Sequence, residues 1–414
     1  MDGFFWMVLP MASFNYRCTD CGRTYTREEV RYLCPACGPA YHPGIPLVGV
    51  LEAVFDYDGI RAAFDPQRPD WNLFCPVERE FHPPLPVGNT PLARVDRLGR
   101  SLGLERLWVK NDGLNPSGSL KDRASFLVAA EARRLGIELI VAASTGNAAS
   151  ALAAVCASSG QQALIFVPAT APKAKLVQMV LYGARVVPVK GSYDDAFRLS
   201  LEYTAQRGGL NRNTAYHPLT IEGKKTAALE IWAQLGFQVP DAVVVSVGDG
   251  VILAGVHKGF VDLLRAGLID RLPRLIGVQA ESSDAIHRYV TTGRYADAAH
   301  PATRADSISV TCPSNAHGAR RAVLESAGLT LTVTDPEILA AQAQLAGRTG
   351  IFTEPAGAAA LAGLVKLQAG PRPLAASARV VLLATGHGLK DVEAPLSLIS
   401  IPPAIEPVLE AVPA

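Results

Sequence analysis

Asn115-Pro-Ser-Gly-Ser-Leu-Lys-Asp-Arg123 decides the fold of this chain, because it carries one lysine, Lys121, after a Gly/Ser turn. An apolar run follows at residues 124–130, and we predict that it is a helix. A lysine amine at the head of such a helix can hold a carbonyl compound as a Schiff base. The stretch taken by itself fits a solvated lysine at a helix start equally well, so the interpretation depends on the rest of the chain.

Apolar segments recur from residue 106 to residue 384, separated by helical segments and small loops. This alternation predicts strand–loop–helix units and therefore an α/β fold with mainly parallel sheets. In such sheets ligands bind at the carboxyl ends of the strands. The predicted strands are residues 106–110, 138–143, 163–168, 184–189, 241–247 and 379–384.

The composition is typical of a large, well-buried enzyme. With 414 residues the chain is too long for one ordinary core, so two or three domains are expected. It is 49% apolar and 19% charged, which excludes a disordered protein. The formal net charge of +1 gives no reason to expect nucleic acid or an anionic membrane as a partner. The expected partners are a small molecule and a second copy of the chain.

The first ten residues are apolar but lack the basic start of a secretion signal and are too short to span a bilayer. We interpret them as an upstream extension or a loosely packed arm, with Met11 as an alternative start. No other segment has the length of a membrane span, so we expect a cytoplasmic protein.

Four cysteines form two Cys-x-x-Cys-Gly knuckles, and this arrangement predicts a structural zinc ribbon over residues 14–45. Two disulfides are disfavoured because the chain shows no secretion signal. A ribbon that has lost its metal is the remaining alternative. The predicted ligands are Cys18, Cys21, Cys34 and Cys37.

The order of the motifs resembles that of the fold-type II (tryptophan synthase β-like) pyridoxal-phosphate-dependent enzymes, and within them most the threonine synthase family. The matching segments are Ser119–Arg123, Ser144–Asn147, the Gly-rich turn at Gly248, Thr385–Asp391, Gly88–Leu92, Glu222–Thr226, Ala305–Ile308 and Glu354–Ala359. The resemblance implies two doubly wound, mainly parallel sheet domains after the ribbon. Residues 46–135 and 240–414 would form the large cofactor-binding domain, and residues 136–239 a small mobile domain.

The resemblance also assigns roles to the loops. Lys121 would hold pyridoxal 5′-phosphate as a Schiff base and then move protons, Asn147 would bond the 3′-oxygen of the cofactor, and Thr385 would face its pyridine nitrogen. The backbone of the loop would bind the substrate carboxylate, through Ser144, Thr145, Gly146 and Asn147. The cofactor phosphate would lie on the turn formed by Gly248, Asp249, Gly250, Val251 and Ile252.

The chain departs from the family at positions that grip the phosphate of O-phosphohomoserine. Aligned on Glu222-Gly223, it has Thr214 and Ala215 for an Asn-Ser pair and Thr220 for an arginine. It also has Ile252 for an asparagine, Ala148 for a threonine, Val251 for a frequent glycine and Leu120 for a phenylalanine. Each charged hydrogen bond lost is worth roughly 1.5–3 kcal/mol, so the joint loss favours a changed substrate. Three nearby residues can compensate for the lost phosphate donors, namely His217, Lys224 and Lys225. In the alternative interpretation, His217 is a turn residue and the two lysines are solvated charges at a helix start.

Three functions follow. The first is a lyase or synthase that eliminates or replaces a group on a β- or γ-substituted amino acid other than O-phosphohomoserine. The second is a threonine synthase with a rebuilt phosphate pocket, converting O-phosphohomoserine and water to threonine and phosphate. The third is a non-catalytic relative, which the presence of Lys121, Asn147 and Thr385 disfavours. The resemblance also suggests a homodimer.

Overall fold

The computed structural model describes residues 13–42, 44–171, 173–396, 402–409 and 412. The sequence interpretation of residues 1–10, and of Met11 as a start, lies outside these residues. Within the described chain, no helix has the length and apolar character needed to cross a membrane.

The strands form three sheets, and their bounds follow in chain order. They are β1 Phe14–Cys18, β2 Thr24–Tyr25, β3 Leu51–Phe55, β4 Leu92–Arg94, β5 Arg106–Asn111, β6 Leu139–Ala143, β7 Gln162–Pro168, β8 Arg185–Val189, β9 Leu210–Asn211, β10 Ala242–Ser246, β11 Arg274–Ala280, β12 Leu329–Val333 and β13 Arg379–Ala384. The six strands predicted from the sequence agree with β5, β6, β7, β8, β10 and β13 to within one residue at each end.

The two larger sheets are mainly parallel. The six-stranded sheet has the order β12-β11-β10-β13-β5-β4, in which only β4 runs antiparallel to its neighbour. The four-stranded sheet has the order β8-β7-β6-β9 and is parallel throughout. The predicted α/β class is therefore confirmed, and the carboxyl ends of β6, β10 and β13 lead directly into the predicted site loops.

The third sheet is antiparallel; the first cysteine knuckle begins at the end of β1 and the second lies between β2 and β3. Its order is β2-β1-β3, with residues 14–18 paired along their whole length to residues 51–55. The sheet thus extends beyond residue 45, the end predicted for the ribbon, because β1 finds its longer partner after the second knuckle.

Helices cover the faces of both parallel sheets. Their bounds are α1 Tyr57–Ala63, α2 Asp96–Ser101, α3 Lys121–Arg134, α4 Asn147–Ser159, α5 Lys173–Leu181, α6 Tyr193–Arg207, α7 Leu219–Gln234, α8 Val251–Arg265, α9 Ala285–Thr292, α10 Ala316–Glu325, α11 Asp335–Thr349, α12 Pro355–Gln368 and α13 Glu393–Leu396. Local sequence sets several of these starts. In α6 and α11 a Ser or Thr side chain accepts the third N–H while an acidic side chain returns the bond, the reciprocal arrangement of a capping box.

Candidate active site

The Lys121 loop is fastened to the loop that follows β13. The Leu120 N–H donates to the Thr385 carbonyl at 2.9 Å, and the His387 N–H donates to the Gly118 carbonyl at 2.9 Å. Ser119 and Gly386 form an isolated bridge between these two bonds. Backbone pairing therefore brings Lys121 and Thr385 to the same edge of the six-stranded sheet, although they are 264 positions apart in the chain.

A buried ion cluster holds the first turn of α3. The Arg123 guanidinium donates to both carboxylate oxygens of Asp112, at 2.6 and 2.9 Å, and to both of Glu230, at 2.5 and 2.8 Å. The Lys110 ammonium also reaches Glu230, at 2.5 Å. Thr90, from the Gly88–Leu92 motif, donates to Asp112 at 2.6 Å. This motif thus serves to build the support beneath Lys121.

One cavity of about 470 Å³ contains every residue that the sequence assigned to the cofactor or the substrate. These residues come from the carboxyl ends of β6, β10 and β13 and from the start of α3. They are Lys121, Ser144, Thr145, Gly146, Asn147, Gly248, Asp249, Gly250, Val251, Ile252 and Thr385. The predicted loops therefore meet in space.

The loop after β6 presents free backbone donors. Gly146 precedes the first residue of α4, and its carbonyl accepts the N–H groups of Ala149 at 3.0 Å and Ser150 at 3.2 Å. The N–H groups of Asn147 and Ala148 come before these bonds and have no helical partner. A helix start of this kind suits a carboxylate.

The turn after β10 forms a second anion cradle at the start of α8. Gly250 caps this helix with φ +82°, a left-handed conformation that favours glycine. A Cβ there would lie 2.7 Å from the Ala319 Cβ, so the close packing also requires glycine. The first helical bond is donated by Ala254 to the Gly250 carbonyl at 3.0 Å, which leaves the N–H groups of residues 251–253 for a ligand.

The Lys121 amine lies among charged groups. Burial lowers the pKa of Lys121, and the Arg212 guanidinium lowers it further, while the carboxylates of Asp249 and Glu354 act in the opposite direction. A lowered pKa increases the neutral fraction of the amine, which is the form that attacks a carbonyl and accepts a proton.

Glu354 is a site residue that sequence reasoning did not identify. Its carboxylate accepts two bonds from the Asn147 amide, each at 2.9 Å, and it is 5% exposed. Burial raises the pKa of Glu354 although the Asn147 bonds oppose the shift. The Glu354–Ala359 motif was the available signal, but it did not tell which side chain turns toward Asn147.

Arg212 and Lys224 also line the cavity. Arg212 was not predicted as a site residue, whereas Lys224 was one of the three residues offered as a replacement for the lost phosphate donors. Lys224 and Lys225 are both buried, so the alternative of solvated helix-start charges is wrong. Lys225 instead pairs with Glu222 at 2.6 Å and with Asp262 at 2.8 Å beneath the ribbon. His217 is buried with a pKa lowered to about 3 by burial, and it does not line the cavity.

The positions that depart from the family divide into two groups. Ala148, Thr214, Val251 and Ile252 line the cavity, whereas Leu120, Ala215 and Thr220 do not. The Thr220 hydroxyl is engaged within its own turn: it donates to the His217 carbonyl at 2.8 Å and accepts the Ala215 N–H at 2.9 Å. A ligand in the cavity therefore meets a different set of side chains from the one that the family motif would supply.

The four ribbon cysteines cluster as the knuckles predicted. Their sulfur atoms all lie within 4.8 Å of one another, and Cys21 and Cys34 are 3.8 Å apart. A tetrahedral site with Zn–S bonds of about 2.3 Å has sulfur–sulfur edges of about 3.8 Å, so the geometry fits Zn²⁺. The Asp20 N–H points at the Cys18 sulfur at 3.4 Å, as in a metal-binding knuckle.

The ribbon packs against the wall of the cavity. The Cys34 N–H donates to the Gly49 carbonyl at 2.7 Å, and two residues earlier the Leu47 N–H donates to the Ser314 carbonyl at 3.0 Å. The Ser314 N–H in turn donates to the Asp249 carboxylate at 3.1 Å, within the turn after β10. The cysteine cluster is thus linked to the anion cradle by a short series of hydrogen bonds.

Comparison with known proteins agrees with this geometry. A family model described as "Pyridoxal-phosphate dependent enzyme" matches residues 84–386. Threonine synthase from Methanosarcina acetivorans is 35% identical over 410 residues, which cover 96% of this chain and 98% of that protein. Threonine synthase from Methanocaldococcus jannaschii is 37% identical over 403 residues, with coverage of 94% and 96%. This chain belongs to the threonine synthase family of pyridoxal-phosphate-dependent enzymes.

A solved structure extends the agreement to the fold. Threonine deaminase isoform 2 from Solanum lycopersicum, in its processed form, superimposes with a TM-score of 0.64 at 22% identity, covering 75% of this chain and 87% of that one. The prediction of a threonine synthase-like, pyridoxal-phosphate-dependent lyase of fold type II is confirmed, and the non-catalytic alternative is not supported. The residues of the cavity fit this cofactor, because a reactive lysine and two free helix starts face the same space.

Proposed function

We propose that this threonine synthase family member eliminates or replaces a group on a β- or γ-substituted amino acid, using Lys121 as its proton carrier. The observation that carries the proposal is the meeting of Lys121, the Ser144–Asn147 loop, the start of α8 and Thr385 in one cavity. When bound, pyridoxal phosphate supplies an electron sink that stabilises negative charge at the substrate α-carbon.

Each part of the site would have one task. Lys121 would hold the cofactor covalently until substrate arrives, and its Nζ would then take the α-proton and return it. The N–H groups of Asn147 and Ala148 would fix the substrate carboxylate, and those of residues 251–253 the cofactor phosphate. Asn147, itself held by Glu354, would keep the cofactor ring at a constant tilt.

Thr385 would select the type of reaction. A hydroxyl opposite the pyridine nitrogen, unlike a carboxylate, does not require that nitrogen to be protonated. The electron sink is then weaker, which favours elimination and replacement over transamination.

We further propose that the segment carrying the four-stranded sheet moves to close the site. A second cavity of about 310 Å³ is lined by residues of its helix α5 and of the loop after β13. Exposed apolar side chains face this gap from both sides: Val177 and Leu181 on α5 are 53% and 81% exposed, and Leu389 is 71% exposed. Closure would bury these side chains and exclude water from the reaction.

We propose that the substrate is not O-phosphohomoserine, because the chain lacks the side chains with which the family binds the phosphate of that compound. The family arginine is replaced by Thr220, whose hydroxyl is engaged within its own turn. Ala148 and Ile252 stand in the cavity where the family has side-chain donors. A true threonine synthase is the second candidate, and it is favoured by the names of the relatives that match nearly the whole chain.

Turnover of O-phosphohomoserine separates the two candidates. We expect kcat/KM for release of phosphate and threonine to fall below the range of about 10⁴–10⁸ M⁻¹s⁻¹ that is usual for an enzyme with its own substrate. A panel of β- and γ-substituted amino acids, screened by the change in cofactor absorbance, should contain a better substrate. Turnover of O-phosphohomoserine within that range, with no better member of the panel, contradicts the first candidate.

We propose that the cysteine cluster holds one structural zinc ion. Freshly purified, reduced protein should contain one zinc per chain, and Cys34→Ser should lose both the metal and thermal stability, because a structural zinc site contributes directly to folding. Cys75→Ser is the matched control, since Cys75 lies outside the cluster and its thiol donates to the Val77 carbonyl, a bond that serine can keep. Zinc-free wild-type protein with an unchanged melting temperature rules out the proposal. A homodimer and a cytoplasmic location remain predictions.

A further inference from the structure

Two of the buried cations in this chain have no carboxylate partner. Among the described residues, six lysine and arginine side chains are buried: Lys110, Arg123, Arg212, Lys224, Lys225 and Lys258. Four of them pair with a carboxylate at 2.8 Å or less. Arg212 and Lys224, each 1% exposed, form no ion pair within the part of the chain that the structure describes. These two are also the members of the set that line the Lys121 cavity.

The polar contacts of the two side chains leave donors free. The Arg212 Nε donates to the Ser125 hydroxyl at 3.1 Å, whereas its buried Nη2 has no hydrogen-bond partner among the described residues. The Lys224 ammonium has three protons, and it donates one of them to the Thr214 hydroxyl at 3.0 Å. That hydroxyl keeps its own proton for a further bond. Three adjacent groups can therefore donate to one ligand.

Electrostatics in the cavity favour an anion. Burial lowers the pKa of Arg212 to about 10. Burial also lowers the pKa of Lys224 well below its usual value, and the charges of Lys121 and Arg212 add to that effect. Proteins normally pair a buried charge, as this chain does at four of its six buried cations, because an unpaired one is costly. A bound anion would supply the counter-charge that these two side chains lack among the described residues.

We propose that Arg212, Lys224 and Thr214 bind a tetrahedral dianion of the phosphate type, carried by the side chain of the substrate or by the cofactor. In its first form the inference rests on the proposed function and narrows the substrate to amino acids, other than O-phosphohomoserine, that carry a phosphate-type group at the β- or γ-carbon. The family arginine would stand at Thr220 on α7, whereas Arg212 comes eight positions earlier and directly follows β9. The arginine donor therefore enters the cavity from a different element. This relocation explains how the site can lack the family arginine and still receive an anionic substrate.

Arg212→Met and Lys224→Gln test the proposal, with the milder Arg212→Lys in case the first fails to fold. Arg207→Met is the matched control, because Arg207 is an exposed arginine at the end of α6. The probes are O-phosphohomoserine and O-phosphoserine against homoserine and serine, pyridoxal phosphate against pyridoxal, and inorganic phosphate titrated into the cofactor-free protein.

The proposal is supported if the variants bind a phosphorylated probe at least tenfold more weakly than the wild type does, while their binding of the phosphate-free analogue is unchanged. A loss confined to the phosphorylated amino acids identifies the substrate as the source of the anion. A loss confined to pyridoxal phosphate identifies the cofactor as the source. The proposal is overturned if the variants lose equal affinity for both members of each pair. It is also overturned if they lose no affinity for any probe, including inorganic phosphate. Failure of the wild type to bind pyridoxal phosphate at all would contradict the proposed function instead, and the inorganic phosphate titration would still decide the anion site.

Discussion

Lys121→Ala is expected to remove turnover while leaving the fold intact. The side chain both anchors the cofactor and moves the substrate α-proton, and loss of acid–base catalysis alone costs about 10²–10⁴-fold in rate. The surrounding loop does not depend on this side chain, because it is held by the backbone bond from Leu120 to Thr385 and by the Arg123 ion cluster. The measurement is kcat for the best amino acid of the screening panel, with the melting temperature recorded in parallel.

Two further variants sharpen this prediction. Lys121→Arg keeps a positive charge but cannot attach the cofactor, so it should be as inactive as the alanine variant. Lys366→Ala removes an exposed lysine of α12 that lies outside the cavity, and it should retain wild-type kcat. A Lys121→Ala enzyme that turns over within threefold of the wild type would exclude Lys121 from the chemistry.

Arg123→Met should produce the largest loss of stability among single substitutions near the site. Removing the guanidinium leaves Asp112, which is fully buried, without its charged partner, and breaking a buried pair in this way costs about 3–5 kcal/mol. Three elements meet at this point, namely the start of α3, the end of β5 and helix α7 through Glu230. We therefore expect a lower free energy of unfolding in urea, together with weaker cofactor binding, because Lys121 is two residues away.

The control for this experiment is Arg97→Met on the exposed face of α2. Substitutions at such surface positions usually change stability by less than about 0.5 kcal/mol. Asp112→Asn offers a second route to the same cluster, since it keeps the shape of the side chain but removes its charge. If Arg123→Met unfolds at the same urea concentration as Arg97→Met, the cluster does not hold the loop.

Much of the fold could be predicted because its signals are local. Runs such as Ala242–Ser246 and Arg379–Ala384 are apolar, rich in β-branched or aliphatic residues, and end in Gly- or Ser-containing loops. Parallel strands bring those loops to one edge, so Lys121, Asn147 and Thr385 could be expected to meet. Strands β1 to β4, β9, β11 and β12 were missed. Of these, β2, β4 and β9 have only two or three residues and carry no periodicity, and Gly277 and Gln279 interrupt the apolar run of β11.

The residues that were missed or left undecided depend on tertiary packing. Glu354 precedes α12 and reaches Asn147 across the gap between two sheets. Arg212 and Lys224 enter the cavity from β9 and α7, which approach each other only in the folded chain. On a helix that is buried on nearly every side, as α7 is, sequence spacing does not tell which lysine faces a ligand and which faces a carboxylate. Lys224 and Lys225 are neighbours with these two different fates.

The absorbance spectrum of the purified protein tests the central claim most directly. Wild-type protein supplied with pyridoxal phosphate should show a band at about 410–430 nm, as expected for the cofactor attached to a lysine. The band should be absent from Lys121→Ala and should shift when a substituted amino acid is added to the wild type. A wild-type protein without the band, or a Lys121→Ala protein that keeps it, would contradict the assignment of Lys121 as the residue that holds the cofactor.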